Sequence, residues 1–212
     1  HQTVSRVLNN HPNVRSGTRD QVMEAIRKLG YSRNRAARAL ATSHSSTIGI
    51  LTIGSEFFGP QSTVLAIEAA ARAQGYFVSV TALDRYDAHS ATEALNHLVD
   101  QGVDGVVMVA PFEKVIDALD DAALKIPVVV VAARTSVPVS DPARYVYVDQ
   151  REGARLATGH LLALGHRKIA HVSGPTGWFD ATERQIGWQE KMLEAKAPII
   201  EVPAESWLAP SG

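Results

Sequence analysis

The sequence of 212 residues contains no cysteine, and this absence excludes disulfide frameworks, thiolate nucleophiles and zinc–thiolate sites. It also lacks a long hydrophobic run, because the longest strongly apolar stretch, residues 126–133, is far too short to cross a bilayer. No charged and then apolar leader opens the chain, so we expect a cytoplasmic location. A hydrophobic content of 45% with 20% charged residues is typical of a globular protein with a sizeable core.

The motifs of several enzyme classes are absent as well. The chain has no G-x-S-x-G elbow, no phosphate loop, no G-x-G-x-x-G turn and no H-E-x-x-H helix. His160, His166 and His171 come nearest to a metal-ligand cluster, but their spacing does not place them on one helical face and Gly165 interrupts the helix between them. We therefore predict no catalysis, no metal and no cofactor, and interpret these histidines as structural.

Charge is distributed unevenly along the chain. Residues 1–43 carry eight Lys or Arg against two acidic residues, a net charge of +6, so the remainder carries −7. A small basic head on an acidic body favours a polyanion-binding module joined to a part with a different task.

The head is predicted to contain two helices. Val4, Val7 and Leu8 share one face of the first helix, and Pro12 prevents its simple continuation. No partner helix precedes this apolar face, so we expect the chain to be a fragment of a longer protein.

The second helix is expected to begin at a polar cap. Ser16 or Thr18 can provide it, Gln21 completes a capping box with Thr18, and Gly30 is a natural end. Residues 34–41 follow, alanine-rich and basic, and are too few for a stable helix in isolation.

From Thr47 onward, short β-branched runs alternate with amphipathic segments, which indicates βαβ units and a doubly wound parallel sheet. The predicted strands are 47–53, 76–82, 104–110, 127–133, 145–148, 168–174 and 198–203. The predicted helices are 62–74, 89–101, 113–123, 151–164 and 182–196.

Several stretches taken together resemble the LacI/GalR family of ligand-responsive bacterial repressors, in order and over essentially the whole chain. They are QTVSRVLN in the first helix, V-x-x-x-T-R at Val14–Arg19, GY-x-x-N-x-x-A-x-x-L at Gly30–Leu40, IGIL at the start of the body, residues 148–175, and R-x-x-GW at 184–188.

The resemblance implies four regions. These are a partial helix-turn-helix domain at 1–31, a hinge helix and linker at 32–46, the first lobe of a periplasmic-binding-protein-like α/β body at 47–165, and the start of a second lobe at 166–212. The first helix of the helix-turn-helix and most of the second lobe are expected to be missing.

By the same resemblance, the first helix of this chain is the second, recognition helix of the helix-turn-helix, and it reads DNA bases. The base-reading set is His1, Gln2 and Arg6, with Thr3 and Ser5 beside them, and the phosphate-binding set is Thr18, Arg19 and Asn34. Glutamine suits adenine and arginine suits guanine, although a solvated helix face remains the alternative for this pattern alone. Leu40 matches a hinge leucine that wedges into the minor groove, where the small Ala37 permits close approach. A buried contact of Leu40 with the body is its alternative.

Effector residues are predicted where the carboxyl ends of the strands converge. The loops there carry Phe57, Phe58, Gly59, Arg85, Trp178 and Asp180. The resemblance adds Arg184 as the arginine that grips ligand hydroxyls, with Glu152 and Asp180 near it and Trp207 as a stacking wall. The alternative places Trp178 and Trp207 over the core and pairs Arg184 with Glu183 or a helix end.

The resulting prediction is a DNA-binding repressor, not an enzyme, that releases its operator when a small molecule, expected to be a sugar, binds between two lobes.

 The resemblance implies a homodimer that reads two half-sites, and the lack of a long apolar run predicts no membrane partner. A periplasmic-type sugar receptor shares the lobed body but would need a secretory leader in place of the basic head. An enzyme on a doubly wound sheet would need an acid, base or nucleophile set at the strand ends, and none can be assembled.

Overall fold

The computed structural model describes residues 2–8, 11–31, 42, 44–54, 58–109, 112, 114–115, 118–119, 124–132 and 143–207. The chain divides into two compact units, His1–Ser43 and His44–Gly212, which we call the head and the body and describe separately. Of the predicted hinge helix and linker at 32–46, residues 32–41 and 43 lie outside the described residues.

The described residues of the head include the helices α1 (Gln2–Leu8) and α2 (Ser16–Lys28). Val7 of α1 is 3% exposed, as expected from the apolar face of that helix. The prediction of a side-chain cap on α2 is wrong. Arg15 is the N-cap residue, with extended backbone and no side-chain cap hydrogen bond. Ser16 and Thr18 already lie inside the helix, so neither holds the extended position from which a capping hydroxyl acts.

The first part of the body contains the elements β1 (Thr47–Ile53), α3 (Phe58–Ala73), β2 (Phe77–Leu83), α4 (Ala88–Asp100), β3 (Gly105–Val109), β4 (Val128–Val131) and β5 (Ala143–Val146). These five described strands form the larger sheet of the body, in which they are parallel and lie in the order β2-β1-β3-β4-β5. Leu51, Leu95 and Met108 are fully buried at the centre of its core. Asp87 caps α4 by accepting a hydrogen bond from the Ser90 N–H at 2.8 Å.

A second sheet has two parallel strands, β6 (Ala170–Val172) and β7 (Ile200–Val202), with the helices α5 (Gln150–Ala163) and α6 (Phe179–Glu194). Asp149 caps α5 by accepting from the Glu152 N–H at 2.9 Å. The two helices pack so closely that a Cβ on Gly187 of α6 would collide with the Arg151 carbonyl oxygen. This contact fixes the position of the first turn of α5 against α6.

The alternating architecture predicted from sequence is confirmed, although the bounds of several elements differ, among them β5 at 143–146 rather than 145–148 and α6 from 179 rather than 182. Helix α3 begins at residue 58 rather than 62, because Pro60 is compatible with the first helical turn, where its missing N–H is not needed. Strands β6 and β7 are shorter than predicted, since only three residue pairs join them. Of the predicted helix 113–123, residues 114, 115, 118 and 119 are helical, and the others lie outside the described residues. The boundary predicted between two lobes at residue 165 stays a prediction.

Candidate functional site

A cleft of about 280 Å³ opens at the carboxyl ends of β3 and β4. The first turns of α3, the segment after β5 and the start of α6 complete its walls. The lining residues are Gly59, Pro60, Ser62, Thr63, Val109, Val131, Ala132, Tyr147, Val148, Gln150, Trp178 and Asp180. This is the edge at which ligands bind in parallel α/β sheets.

Trp178 forms part of the core and part of the cleft wall. Its side chain is 7% exposed, and its ring meets Phe112 edge-on with the centroids 4.8 Å apart. Phe112 in turn stacks on Tyr86 at 4.7 Å. On its other side Trp178 meets Trp207 edge-on at 5.5 Å. The two interpretations of Trp178, core residue and cleft wall, are therefore compatible.

Arg184 lies beside the cleft and is held by two neutral groups. Its Nη1 donates to Oε1 of Gln150 at 2.8 Å, and its Cζ lies 5.2 Å from the centre of the Trp207 ring. Gly174 makes room for this ring, because a Cβ there would collide with Trp207. The guanidinium group thus has a fixed position between an aromatic face and an amide oxygen.

The predicted effector residues separate into two groups. Gly59, Trp178 and Asp180 line the cleft. Arg184 contacts the lining residue Gln150, and Trp207 contacts the lining residue Trp178.

The other predicted effector residues are elsewhere. Phe58 does not line the cleft; it starts α3 and is 84% exposed. Arg85 is exposed and donates to the Ser90 hydroxyl at 3.3 Å, near Asp87. The Glu152 carboxylate lies 3.6 Å from Arg155, which is its ion-pair partner in the described part of the chain. Phe57 lies outside the described residues.

Sequence reasoning missed Tyr147, Val148 and Gln150 as lining residues. They follow β5, so the rule that selected the loops after the other strands would also have selected this segment.

An ionic network joins α5 and α6 next to the cleft. Glu190 accepts hydrogen bonds from Arg151 and from Arg155, the latter at 3.2 Å, and Glu194 accepts from Arg155 at 2.8 Å. The hydrogen bonds from Arg151 hold the pKa of the Glu190 carboxyl below its usual value. Those from Lys191 and Arg155 lower the pKa of Glu194 in the same way. These charges neutralise one another and stabilise the helix pair.

No group of three or more His, Asp or Glu side chains in the described part of the chain could hold a metal ion. Of the three histidines considered above, His171 packs against Trp188 with the ring centroids 5.1 Å apart. Burial lowers the pKa of His171, so the neutral imidazole is favoured in the folded state.

The head presents a polar surface on α1. Gln2, Thr3, Ser5 and Arg6 are all exposed, whereas Val7 is buried. This arrangement is available for contacts with base edges in a groove of DNA.

The anchors proposed for phosphates begin α2. Thr18 and Arg19 are half-buried, and Arg19 Nη2 donates to the His11 carbonyl oxygen at 3.2 Å. The other predicted DNA contacts, His1, Asn34, Ala37 and Leu40, lie outside the described residues. Among the helices in the described ranges, none is long and apolar enough to cross a membrane.

Two family models match the chain. The model for bacterial regulatory proteins of the lacI family matches residues 1–34, and the model for the periplasmic binding protein domain matches residues 50–210. The first match covers the helices of the head, and the second covers the cleft.

Individual proteins give the same result. The lactose operon repressor of Escherichia coli (strain K12) is 33% identical over 219 residues, which cover 100% of this chain and 58% of the repressor. A crystal structure of the lac repressor dimer bound to operator and the anti-inducer ONPF matches with a TM-score of 0.87 and 30% identity, over 99% of this chain and 63% of that one. A complex of the transcriptional regulator CelR with cellobiose matches with a TM-score of 0.65 and 26% identity, over 99% and 63%. The chain therefore spans about three fifths of the length of these relatives.

Proposed function

The chain belongs to the LacI/GalR family of bacterial regulatory proteins, and from this premise we propose that it is a sequence-specific transcriptional repressor controlled by a small molecule. The observation that carries the proposal is the presence, in one chain, of a lacI-family head and a body with a cleft at the carboxyl ends of its strands. The relatives are transcription regulators, and we propose a non-catalytic role in the cytoplasm, where operator DNA is found.

The head is proposed to place α1 in the major groove of an operator. Gln2 and Arg6 then contact base edges, with His1, Thr3 and Ser5 beside them. The exposure of the described members of this set supports the assignment.

The remaining DNA contacts in the proposal are to the backbone and the minor groove. Thr18, Arg19 and Asn34 bind phosphates, and Leu40 wedges into the minor groove beside Ala37. A homodimer would present two such heads to two half-sites.

The body is proposed to bind a sugar in the cleft and to release the operator when it does so. Trp207 offers a face for a sugar ring, and Arg184 and Asp180 offer partners for its hydroxyl groups. The similarity to a regulator solved with cellobiose supports a sugar as the effector class.

The test of DNA binding uses the full-length protein and an operator selected from random DNA. We expect affinity to fall steeply as the salt concentration rises, because each phosphate contact releases counterions. An affinity that does not change with salt would contradict a DNA-binding role for the basic head.

The test of effector binding is a thermal-shift screen with lactose, cellobiose, D-galactose and D-ribose. A sugar that binds the folded state raises the Tm by mass action. Arg184→Ala should abolish that shift, whereas Arg72→Ala, on the exposed side of α3, should retain it. Equal shifts in the parent and in Arg184→Ala would contradict the site assignment.

A further inference from the structure

Three arginines on the α5–α6 pair differ in how their charge is balanced. Arg151 and Arg155 form ion pairs with Glu190 and Glu194. Arg184, on the same helix as those carboxylates, makes no ion pair with any residue that the structure describes. Among the described residues, Arg184 is therefore the one arginine of the three that has no carboxylate partner, and it lies beside the cleft.

The two groups that hold Arg184 fix its position without cancelling its charge. The amide oxygen of Gln150 accepts one of its five N–H donors, and the Trp207 ring covers one face of the guanidinium group. Asp180, one turn earlier on α6, also lines the cleft. Among the described residues Gln150 supplies the one hydrogen-bond acceptor of Arg184, so the other N–H donors of the guanidinium group are open to an acceptor on a ligand.

The orientation of the Gln150 amide follows from its partner. Arginine has only donors, so the oxygen end of the amide must face Arg184 and the nitrogen end must face away from it. Gln150 lines the cleft and is the first residue of α5, whose start is fixed by the Asp149 cap. Its Nε2 therefore adds two donors near those of Arg184.

We propose that Gln150 is a positioning and specificity residue of the effector site. It holds the guanidinium group of Arg184 in place and leaves its charge available, and together the two side chains bind an effector group with acceptor oxygens, such as adjacent hydroxyls or a carboxylate. This inference rests on the proposed function of the cleft. A glutamate at this position would accept the same hydrogen bond but would cancel the charge, and a leucine would release the guanidinium group.

The first experiment needs no effector. The full-length protein is labelled with ¹³C,¹⁵N-arginine, and the Arg184 guanidinium signal is assigned with Arg184→Lys. We expect slow rotation of this group in the parent and in Gln150→Glu, and fast rotation in Gln150→Leu. The signal of Arg155, held by its own ion pairs, serves as the internal reference.

The second experiment measures whether the charge is available, with sodium acetate as the probe at constant ionic strength. Acetate should shift the Arg184 signal of the parent and bind about tenfold more weakly to Gln150→Glu, because the introduced carboxylate cancels the Arg184 charge and repels the acetate. Gln74→Glu adds the same charge at an exposed position outside the cleft and should behave as the parent.

Either of two results would overturn the proposal. One is slow rotation of Arg184 in Gln150→Leu, which would mean that Gln150 does not hold it. The other is equal acetate binding to the parent and to Gln150→Glu, or none to the parent, which would mean that the charge is not available. Neither readout depends on operator or sugar binding, so a failure here is distinct from a failure of the proposed function.

Discussion

The head and the body use their side chains in opposite ways. Among the described residues of the head, only Val7 is buried, and α2 has no buried residue. In the body, Leu51, Leu95 and Met108 lie at 0% exposure within one continuous cluster. The head is basic and the body acidic. The head thus exposes nearly all of its described side chains to solvent, whereas the body has a buried hydrophobic core that fixes the walls of a cleft.

The largest expected effect is a cavity in the frame of the body. Leu95→Ala should lower the free energy of unfolding by about 2–5 kcal/mol, because the side chain is fully buried between α4 and the sheet. Urea unfolding followed by tryptophan fluorescence reports on the body, which contains all three tryptophans. Glu93→Ala on the exposed face of the same helix should change stability by no more than about 0.5 kcal/mol. Equal losses would contradict the core assignment.

A second change tests the close packing of α5 on α6. Gly187→Ala should destabilise the body by about 1–3 kcal/mol, because the added Cβ meets the Arg151 backbone, which cannot move aside as a flexible side chain would. Gly153→Ala, in α5 and with open space around it, is the matched control and should be neutral or slightly stabilising. The same urea series measures both variants.

In the head, substitutions should alter DNA recognition rather than the stability of the body. Gln2→Ala should lower discrimination at one base pair by about 1–3 kcal/mol, and Arg19→Ala should weaken binding to all sequences alike. Titration of the full-length protein onto the selected operator and onto its single-base variants separates the two effects. Identical profiles for the two variants would contradict the division between base readers and phosphate anchors.

The smallest expected effect is the dependence of body stability on pH. The Glu190 carboxyl has a pKa below its ordinary value of 4.5, so its contribution is present above that value and is lost as the pH falls through the lowered pKa. His171 has a pKa below its ordinary value of 6.5, so stability already begins to fall as the pH drops below 6.5, where the unfolded state takes up the proton first. The urea midpoint is measured at a series of pH values. Its fall below pH 4.5 should be smaller in Glu190→Gln than in the parent, and its fall just below pH 6.5 should be smaller in His171→Phe. If both variants kept the profile of the parent, these groups would not be the cause.

The sequence predicted the architecture of the body well because its signals are local. The β-branched run at 47–53 became β1 with the same bounds, and Gly165, predicted to interrupt the helix before it, has a positive φ just after the end of α5. The site was predicted less completely, because it depends on distant pairs. Gln150 and Arg184 are 34 residues apart, and no periodicity in the sequence indicates that they meet. The family resemblance placed Glu152 near Arg184, but Arg155, three residues along α5, is its ion-pair partner.

The central claim is that a ligand in the cleft of the body controls the DNA affinity of the head. Fluorescence anisotropy of a labelled, selected operator titrated with the full-length protein tests it directly, with and without whichever of lactose, cellobiose, D-galactose or D-ribose raises the Tm. The account predicts that this sugar weakens operator binding by about 5–150-fold, the usual range of coupling between two sites. It also predicts that Arg184→Ala binds the operator as the parent does but no longer responds to the sugar. A sugar that stabilises the protein and leaves operator affinity unchanged would contradict the claim.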